Sequence, residues 1–335
     1  MTDYTEDMLA RMTLTALTDP GDPITGKLVQ AIGLTETLAL IRDADAAIPA
    51  QVNQFEGARW RQKAAARQKD TLVDDLVALA ERGGLRLLTP GRAGWPADLT
   101  DLGHSAPLVL WAKGNPELLT SSLTSRVTIT GARAATAYGV HVTHEFAEQL
   151  AQSPRILVSG GAYGIDAETH RAALAVRSGS TIAVLAGGVD RPNPVGNASL
   201  FQRITDGGGL LISEVPPGLA PSKDRFVARA RLMAALSGAT VVPEAGPRSG
   251  SLRVAVSAYD LGRRVGAVPG PITSAASSGG HLLLSEGFAE VVTNAGDVEA
   301  MLDPAPAAFR LPPAYQQAAR RAAPDAGRSA GRAAL

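Results

Sequence analysis

Cysteine is absent from all 335 residues of the chain. Disulfide bonds, thiolate metal sites and a cysteine nucleophile are therefore excluded. No apolar run approaches the roughly 20 residues that a membrane-spanning helix needs. The polar, acidic beginning of the sequence does not match a secretory signal. From these absences we expect a cytoplasmic protein without a membrane partner.

Aromatic residues make up only 4% of the chain, and its formal net charge is zero. A neutral protein is not an obvious binder of nucleic acid, but the charge is unevenly spread. Residues 220–264 contain eight basic and three acidic side chains. Such a segment can form a local phosphate-binding patch or a set of ordinary solvated helix faces. Arg229 and Arg231 flank an apolar helix start, which favours the patch.

Three glycine-containing loops follow strand-like runs of the sequence. Residues 159–166 read Ser-Gly-Gly-Ala-Tyr-Gly-Ile-Asp, and residues 130–133 and 243–251 occupy equivalent positions. Glycine lets the backbone approach a bound group, and amide groups at a helix N-terminus favour negative charge. A single loop of this kind could equally be a tight turn. Three loops, two of them with an arginine (Arg133 and Arg248), indicate an anionic ligand.

Strand and helix patterns alternate regularly from residue 126 onwards. This repetition predicts an α/β fold with a doubly wound parallel sheet, whose glycine loops meet at one carboxyl edge. The predicted strands cover residues 126–130, 155–159, 181–185, 210–213, 240–242, 265–268 and 290–293.

The remainder of the chain divides into three segments. Residues 1–85 have helical spacing of apolar side chains and predict a small helical domain. Residues 86–125 predict strands and turns that lead into the sheet domain, which covers residues 126–303. Residues 304–335 are rich in alanine, proline and arginine and predict a disordered tail. Within the first segment the predicted helices are 6–18, 25–32, 35–42 and 64–82.

Several polar side chains have both a functional and a structural interpretation. His170 follows the second glycine loop and could be a general base, but a packed histidine is favoured because no partner at a telling spacing accompanies it. Asp166 could contact a ligand, although an N-cap of the next helix is favoured. His141 and His144 share a helix face without a third ligand, so we expect no metal site.

Phe226 is the aromatic residue with the most unusual neighbours. It lies between Arg225 and Arg229 at the polar entry to a helix. An exposed ring beside cations is suited to stacking on a nucleobase. A hydrophobic staple beneath the helix would use the same position, and the spacing alone leaves both interpretations open.

The motifs together resemble one family, DNA-processing protein A (DprA, also called Smf). In that family Ser-Gly-x-Ala-x-Gly-Ile-Asp continues into Ala-His-Arg-x-Ala-Leu, which is similar to residues 159–174 here. The resemblance extends over about residues 5–302. Further matching segments are residues 95–99, 107–110, 130–133, 226–237, 244–252 and 268–271.

The resemblance implies an extended Rossmann-like domain preceded by a small helical (SAM-like) domain. It implies a protein that binds single-stranded DNA without catalysis or a cofactor, protects that DNA in natural transformation and recombination, and loads it with the RecA recombinase. It also implies a homodimer. The positions that match the family's DNA pocket are Gly131, Arg133, Ser159, Gly160, Gly161, Gly164, Arg171, Lys223, Phe226, Arg229, Arg231, Ser249 and Gly250.

Three departures from the family pattern bear on this transfer. Ala230 replaces an asparagine between the two arginines of the later helix, and Ala132 replaces a serine in the first loop. Many members also end in a winged-helix domain, whereas only the predicted tail follows Leu302 here. We therefore expect this chain to lack that domain.

Two other function classes share parts of the pattern. Rossmann-like nucleotide-binding enzymes of the phosphoribohydrolase type have a similar glycine loop, but the glutamate that follows their later loop is missing, since Arg253 and Val254 occupy that region. A nicotinamide oxidoreductase would need Gly-x-Gly-x-x-Gly after its first strand. An interaction protein with a vestigial pocket is the third possibility, because Ala132 and Ala230 remove polar groups. We expect a DNA-binding protein rather than an enzyme.

Overall fold

A nine-stranded sheet forms the centre of the computed structural model, which describes residues 4–302. The strand order is β1-β2-β6-β5-β4-β3-β7-β8-β9. Strands β3 to β9 pair in parallel, and β1 and β2 add two antiparallel pairs at one edge. The strands are β1 Arg86–Leu88, β2 Leu110–Gly114, β3 Arg126–Ile129, β4 Ile156–Ser159, β5 Thr181–Val184, β6 Leu210–Ser213, β7 Ala239–Val242, β8 Arg264–Ala267 and β9 Glu290–Val291.

The predicted doubly wound sheet is confirmed. All seven predicted strands are present, and their ends differ from the prediction by at most two residues. The chain runs outwards from β3 to β6 and then returns to place β7 on the other side of β3. This reversal between β3 and β7 is the topological switch point, where ligands bind in open α/β sheets.

Helices cover both faces of the sheet. Helices α5, α6 and α11 pack on one face of its central strands, and α8 and α9 pack on the other. The helices are α1 Glu6–Leu17, α2 Pro23–Arg42, α3 Gln54–Ala65, α4 Leu72–Gly83, α5 Ala137–Gln152, α6 Ile165–Val176, α7 Ala198–Asp206, α8 Lys223–Ala235, α9 Ser251–Asp260, α10 Ser278–Ser285 and α11 Ala295–Leu302.

Helices α1 to α4 precede the sheet and form a bundle, where the sequence predicts a helical domain. Within the described residues, bundle and sheet belong to one compact unit. The division of the chain at residues 85 and 125 therefore stays a prediction. The predicted tail, residues 304–335, lies outside the part of the chain that the structure describes.

The prediction of one helix over residues 64–82 is wrong. Helix α3 ends at Ala65 and α4 begins at Leu72. In the turn between them, the guanidinium of Arg67 donates to the Leu17 carbonyl (3.2 Å) and to the Asp19 carboxylate (2.7 Å). These contacts hold the turn against the end of α1, so tertiary structure outweighs the helical propensity of the alanine-rich segment.

Helix α2 contradicts the expectation that no apolar run approaches the length of a membrane-spanning helix. Its 20 residues are, by length and composition alone, sufficient to cross a membrane. The helix is broken at Gly33, whose φ of 82° is not helical. Residues on both sides of the break, Leu28 and Leu40 among them, pack in the core of the bundle. The break confirms the two predicted segments, 25–32 and 35–42.

Arg126 fixes the segment that leads into the sheet. Its side chain is fully buried at the start of β3. The guanidinium donates to the carbonyls of Leu236 (2.5 Å) and Ser121 (2.8 Å) and forms an ion pair with Asp98. Burial lowers the pKa of Arg126, and the Asp98 carboxylate opposes that shift. Burial of a cation without partners costs several kcal/mol of folding free energy, so the burial of Arg126 depends on these hydrogen bonds and this ion pair.

His170 packs inside the protein, as the favoured interpretation holds. Its side chain is fully buried, and Nδ1 lies 2.7 Å from the hydroxyl of Thr181. That hydroxyl already donates its proton to the Leu157 carbonyl, so Nδ1 is the protonated nitrogen and donates to Thr181. Nε2 has no partner. Burial, with a smaller effect of Arg171, lowers the pKa of His170 from 6.5 to about 3.

The depressed pKa makes stability depend on pH. Between pH 6.5 and about 3 the unfolded chain binds a proton at His170 that the folded protein does not. The free energy of unfolding should therefore fall as the pH drops through this window, by at most about 1.4 kcal/mol per pH unit. His170→Asn keeps an N–H donor for Thr181 but removes the titrating group, so its profile should be flatter. Urea unfolding at a series of pH values measures both slopes.

The control is His141→Asn, which removes an exposed imidazole from α5. It measures the effect of removing a surface histidine, and His170→Asn should flatten the profile more than this control does. Parallel profiles for His170→Asn and the unmodified protein would contradict the assignment of a neutral buried imidazole.

Candidate nucleic-acid interface

The three glycine loops meet at the carboxyl edge of the sheet, as predicted. Ala132 of the first loop donates its N–H to the Glu244 carbonyl of the third loop (2.7 Å). Its own carbonyl accepts from Ile165 at the end of the second loop (3.1 Å). Both contacts use the backbone, so the alanine that replaces the family's serine leaves them unchanged.

Two glycines at this junction are required by packing. A Cβ on Gly131 would overlap the Glu244 carbonyl, and one on Gly164 would overlap the Ala132 carbonyl. Gly164 also has a φ of 74°, which favours glycine. Close approach of the loops is therefore a sufficient reason for these glycines, and a ligand contact at either one stays a prediction.

Buried side chains hold the second loop from two sides. Asp166 is 3% exposed and accepts from the Thr130 hydroxyl (2.8 Å) and the Ala162 N–H (3.2 Å). Asn197 donates to the carbonyls of Gly161 (3.0 Å) and Ala162 (3.3 Å). The favoured role of Asp166 as an N-cap is wrong, because Gly164 occupies the cap position and Asp166 is the second residue of α6. Its carboxylate instead shapes the loop itself.

Arg229 reaches this edge from α8 on the opposite side. Its guanidinium donates to the Gly160 carbonyl (2.8 Å), and its buried Nε has no partner in the part of the chain that the structure describes. Burial lowers the pKa of Arg229, the Asp166 carboxylate opposes that shift, and the charge of Arg133 adds to it. Arg229 thus places a positive charge directly beside the second loop, where it attracts an anion.

Phe226 lies between two cations. The guanidinium carbon of Arg133 is 4.8 Å from the ring centroid, and that of Arg229 is 5.5 Å away. Both distances are within the range of cation–π attraction. Arg133 is exposed, and among the described residues its guanidinium has no hydrogen bond or ion pair. The ring is half-buried, so it is neither a fully buried staple nor a free surface group.

A cleft of about 210 Å³ opens beside this ring. Typical cofactor and small-molecule sites enclose about 300–1,000 Å³, so the cleft is too small for a dinucleotide. Its walls come from the first two loops, the segment after β5 and the start of α8. The lining residues are Arg133, Gly160, Ala162, Tyr163, Ala186, Gly187, Asn193, Pro194, Pro221 and Phe226.

The predicted site residues fall into three groups. Arg133, Gly160 and Phe226 line the cleft, with Arg229 directly behind them. Others belong to the elements that carry the cleft but do not line it: Gly131, Gly161 and Gly164 build the loops, buried Ser159 donates to the Ile129 carbonyl (2.6 Å), and exposed Lys223 begins α8. The remaining four, Arg171, Arg231, Ser249 and Gly250, do not line the cleft either.

Arg231 is held by protein groups. Its guanidinium donates to both carboxylate oxygens of Glu214 at 2.7 Å and to the Ser105 carbonyl at 2.8 Å. Glu214 also accepts from the Gly21 N–H at 3.0 Å, which joins the helical bundle to the sheet. This pair is largely buried. The structure thus places Arg231 in the scaffold rather than at the cleft.

Arg171, Ser249 and Gly250 are absent from the lining of the cleft. Arg171 is exposed on α6, where its guanidinium is 3.6 Å from the Glu168 carboxylate. Ser249 contacts the Ser251 hydroxyl (2.8 Å) in the third loop, and exposed Gly250 precedes α9. Their roles as DNA contacts stay predictions.

Sequence patterns missed part of the cleft. The glycine motif gives Tyr163 no role of its own, yet its side chain lines the cleft and is 50% exposed. Asn193 and Pro194 close the same wall from the segment after β5. Because aromatic residues are only 4% of the chain, a tyrosine inside a glycine loop could have been recognised as a candidate site residue. Ala230, the other departure from the family pattern, is buried in the apolar core beneath α8.

Comparisons with known proteins agree with this geometry. The family model for DNA recombination-mediator protein A matches residues 86–303. A DNA processing protein DprA from Mycobacterium tuberculosis is 45% identical over 282 residues, which are 81% of this chain and 69% of the relative. The DprA of Streptococcus pneumoniae is 39% identical over 204 residues, 61% of this chain and 70% of that protein.

Solved structures give the same result. The X-ray structure of S. pneumoniae DprA superposes with a TM-score of 0.70 and 30% identity, and the match covers 88% of this chain and 97% of that one. DprA from Helicobacter pylori, whose structure concerns its single-stranded DNA binding mode, has a TM-score of 0.58 and 30% identity over 65% of this chain and 95% of its own. The chain belongs to the DprA/Smf family of DNA recombination-mediator proteins.

Proposed function

We propose that this protein binds single-stranded DNA at the cleft beside Phe226, without catalysis. The observation that carries the proposal is the half-buried Phe226 ring held between Arg133 and Arg229. One of these cations is unpaired within the described residues, and the other has a buried, unpartnered Nε. The ring supplies a surface for a base, and the cations supply charge for phosphates.

The phosphate contacts follow from the position of the cations. Arg133 and Lys223 are both exposed, one in the first loop and one at the start of α8, three residues before Phe226. A DNA strand whose base lies on Phe226 would pass its backbone close to both. Lys223 stands in the first turn of α8, where free backbone N–H groups add favourable dipoles for an anion.

The two carboxylates at this edge of the sheet, Asp166 and Glu244, are buried, which agrees with a binding role. General acid–base catalysis needs a carboxylate within reach of the reacting group. Asp166 is 3% exposed and shapes the second loop. Glu244 is equally buried and accepts from the N–H (2.8 Å) and hydroxyl (2.7 Å) of Thr136 at the start of α5. Both carboxylates thus support the loops, which favours a binding protein over a phosphoribohydrolase.

Membership of the DprA/Smf family supports a wider cellular role for the protein. We infer that the protein protects DNA in uptake and recombination, that it passes the strand to RecA, and that it acts as a homodimer in the cytoplasm. The H. pylori relative supports the nature of the ligand through its single-stranded DNA binding mode. RecA loading and dimerisation are expectations from the resemblance.

A titration with oligothymidine and with a duplex of equal length tests the proposal. The protein should bind the single strand more tightly, because a paired base cannot lie on the Phe226 ring. Affinity should fall with salt, with a log–log slope of about 0.7 for each phosphate neutralised. Equal affinity for the two probes would count against the cleft as the binding site.

Arg133 and Arg231 form a matched pair of variants. Arg133→Ala removes an exposed phosphate contact, so it should cost about 1.5–3 kcal/mol of binding, flatten the salt slope and leave the melting temperature unchanged. Arg231→Ala leaves Glu214 buried without its partner, so it should cost about 3–5 kcal/mol of folding stability. Titration and thermal unfolding of both variants measure these effects. An unfolded Arg133→Ala would place that arginine in the scaffold instead.

Phe226→Ala separates stacking from packing. A stacked ring predicts a loss of about 1–3 kcal/mol in binding with little change in melting temperature. The matched control is Phe55→Ala, because Phe55 is 70% exposed and lies 5.8 Å from Arg59 on the helical bundle, away from the cleft. Phe55→Ala should bind like the unmodified protein. A large loss of folding stability in Phe226→Ala, with binding by the folded protein unaltered, would assign the ring to the core.

A further inference from the structure

A second aromatic ring lines the cleft. Tyr163 belongs to the second glycine loop, whereas Phe226 belongs to α8, so the two rings come from different walls. Tyr163 is 50% exposed. The family resemblance gives it no role, because it occupies a variable position of the glycine motif.

The rings of Tyr163 and Phe226 do not stack on each other. Among residues 4–302, the ring–ring contact is that of Tyr259 with Phe288 (5.1 Å). The Phe226 ring contacts the two arginines, and the Tyr163 hydroxyl has no hydrogen bond to a described residue. The Tyr163 ring therefore has free surface at the cleft, and a base that stacks on Phe226 shares that ring with Arg229 and displaces the exposed Arg133 side chain from it.

The loop holds the Tyr163 ring in place. Asn197 donates to the carbonyls of Gly161 and Ala162, directly before Tyr163. Gly164, directly after it, has a φ of 74° and packs against the first loop. The ring itself lies over Gly196, where a Cβ would collide with the tyrosine hydroxyl. Since Gly196 has no side chain, it leaves room for the ring in this position.

We propose that Tyr163 is a second stacking residue, so that the cleft takes one unpaired base with Tyr163 on one wall and Phe226 on the other. This inference rests on the proposed binding of single-stranded DNA and names the residue that completes the base site. Stacking on two rings accepts any base, because every base has a π-face. The volume of about 210 Å³ suits a single base, and Arg133 at the same cleft can meet its phosphate.

Three variants test the inference with oligothymidine as the probe. Tyr163→Ala should weaken binding by roughly 5- to 100-fold, whereas Tyr163→Phe, which keeps the ring, should stay within about twofold. Neither should alter the melting temperature, since the side chain is half exposed. Gly196→Ala should weaken binding while Tyr163 is still present, because the new methyl group displaces the ring.

The salt dependence supplies a readout that a merely structural role would not give. Loss of a stacked ring removes no phosphate contact, so Tyr163→Ala should keep the salt slope of the unmodified protein, while Arg133→Ala flattens it. Adding Gly196→Ala to Tyr163→Ala should cause no further loss, because both changes act through the same ring.

The outcomes distinguish this inference from the proposed function. If the unmodified protein binds oligothymidine and Phe226→Ala weakens it, but Tyr163→Ala binds as tightly as the unmodified protein, the second wall is refuted and the DNA site stands. A Tyr163→Phe variant as weak as Tyr163→Ala would also refute stacking, because the hydroxyl would then be the important group. If the unmodified protein fails to bind oligothymidine, the proposed function and this inference both fail.

Discussion

The backbone of Ala132 holds the edge of the sheet together. Its N–H and carbonyl bond to the third and second loops respectively, so one residue sets the distance between three segments that are far apart in sequence. The position works only because Gly131 and Gly164 lack a Cβ where the loops approach each other. Arg133 follows directly, and its place over the Phe226 ring depends on this junction.

The alternation of strands and helices is the part of the fold that the sequence predicts best. Seven short apolar strands, each followed by a turn signal, carry enough local information to fix the class and the switch point. The break between α3 and α4 is different. Thr71 at the N-cap position of α4 is the local signal for it, and the turn itself is held by Arg67, which reaches the end of α1. The same holds for Arg126, whose four partners are spread over more than 100 residues.

The candidate site shows a similar division. Arg133 and Phe226 could be recognised from motif and composition, because their types and neighbours are unusual. The different roles of Arg229 and Arg231 could not be recognised in that way. They are two residues apart on α8, and a helix turns about 100° per residue, so they point in nearly opposite directions. One donates to Gly160 at the cleft and the other to Glu214 at the bundle. A sequence pattern gives both the same role, whereas the helix geometry assigns them different ones.

The pair of Arg231 and Glu214 also fixes the orientation of α8. Glu214 directly follows β6, accepts from the N–H of Gly21 between α1 and α2, and binds Arg231. The bundle supplies none of the residues that line the cleft, yet it contacts the helix that carries Phe226. Through Glu214 and Arg231, the bundle contributes to the orientation of α8, and so to the position of Phe226 at the cleft. Substitutions in the helical bundle are thus expected to alter the cleft through the position of α8, although no bundle residue lines it.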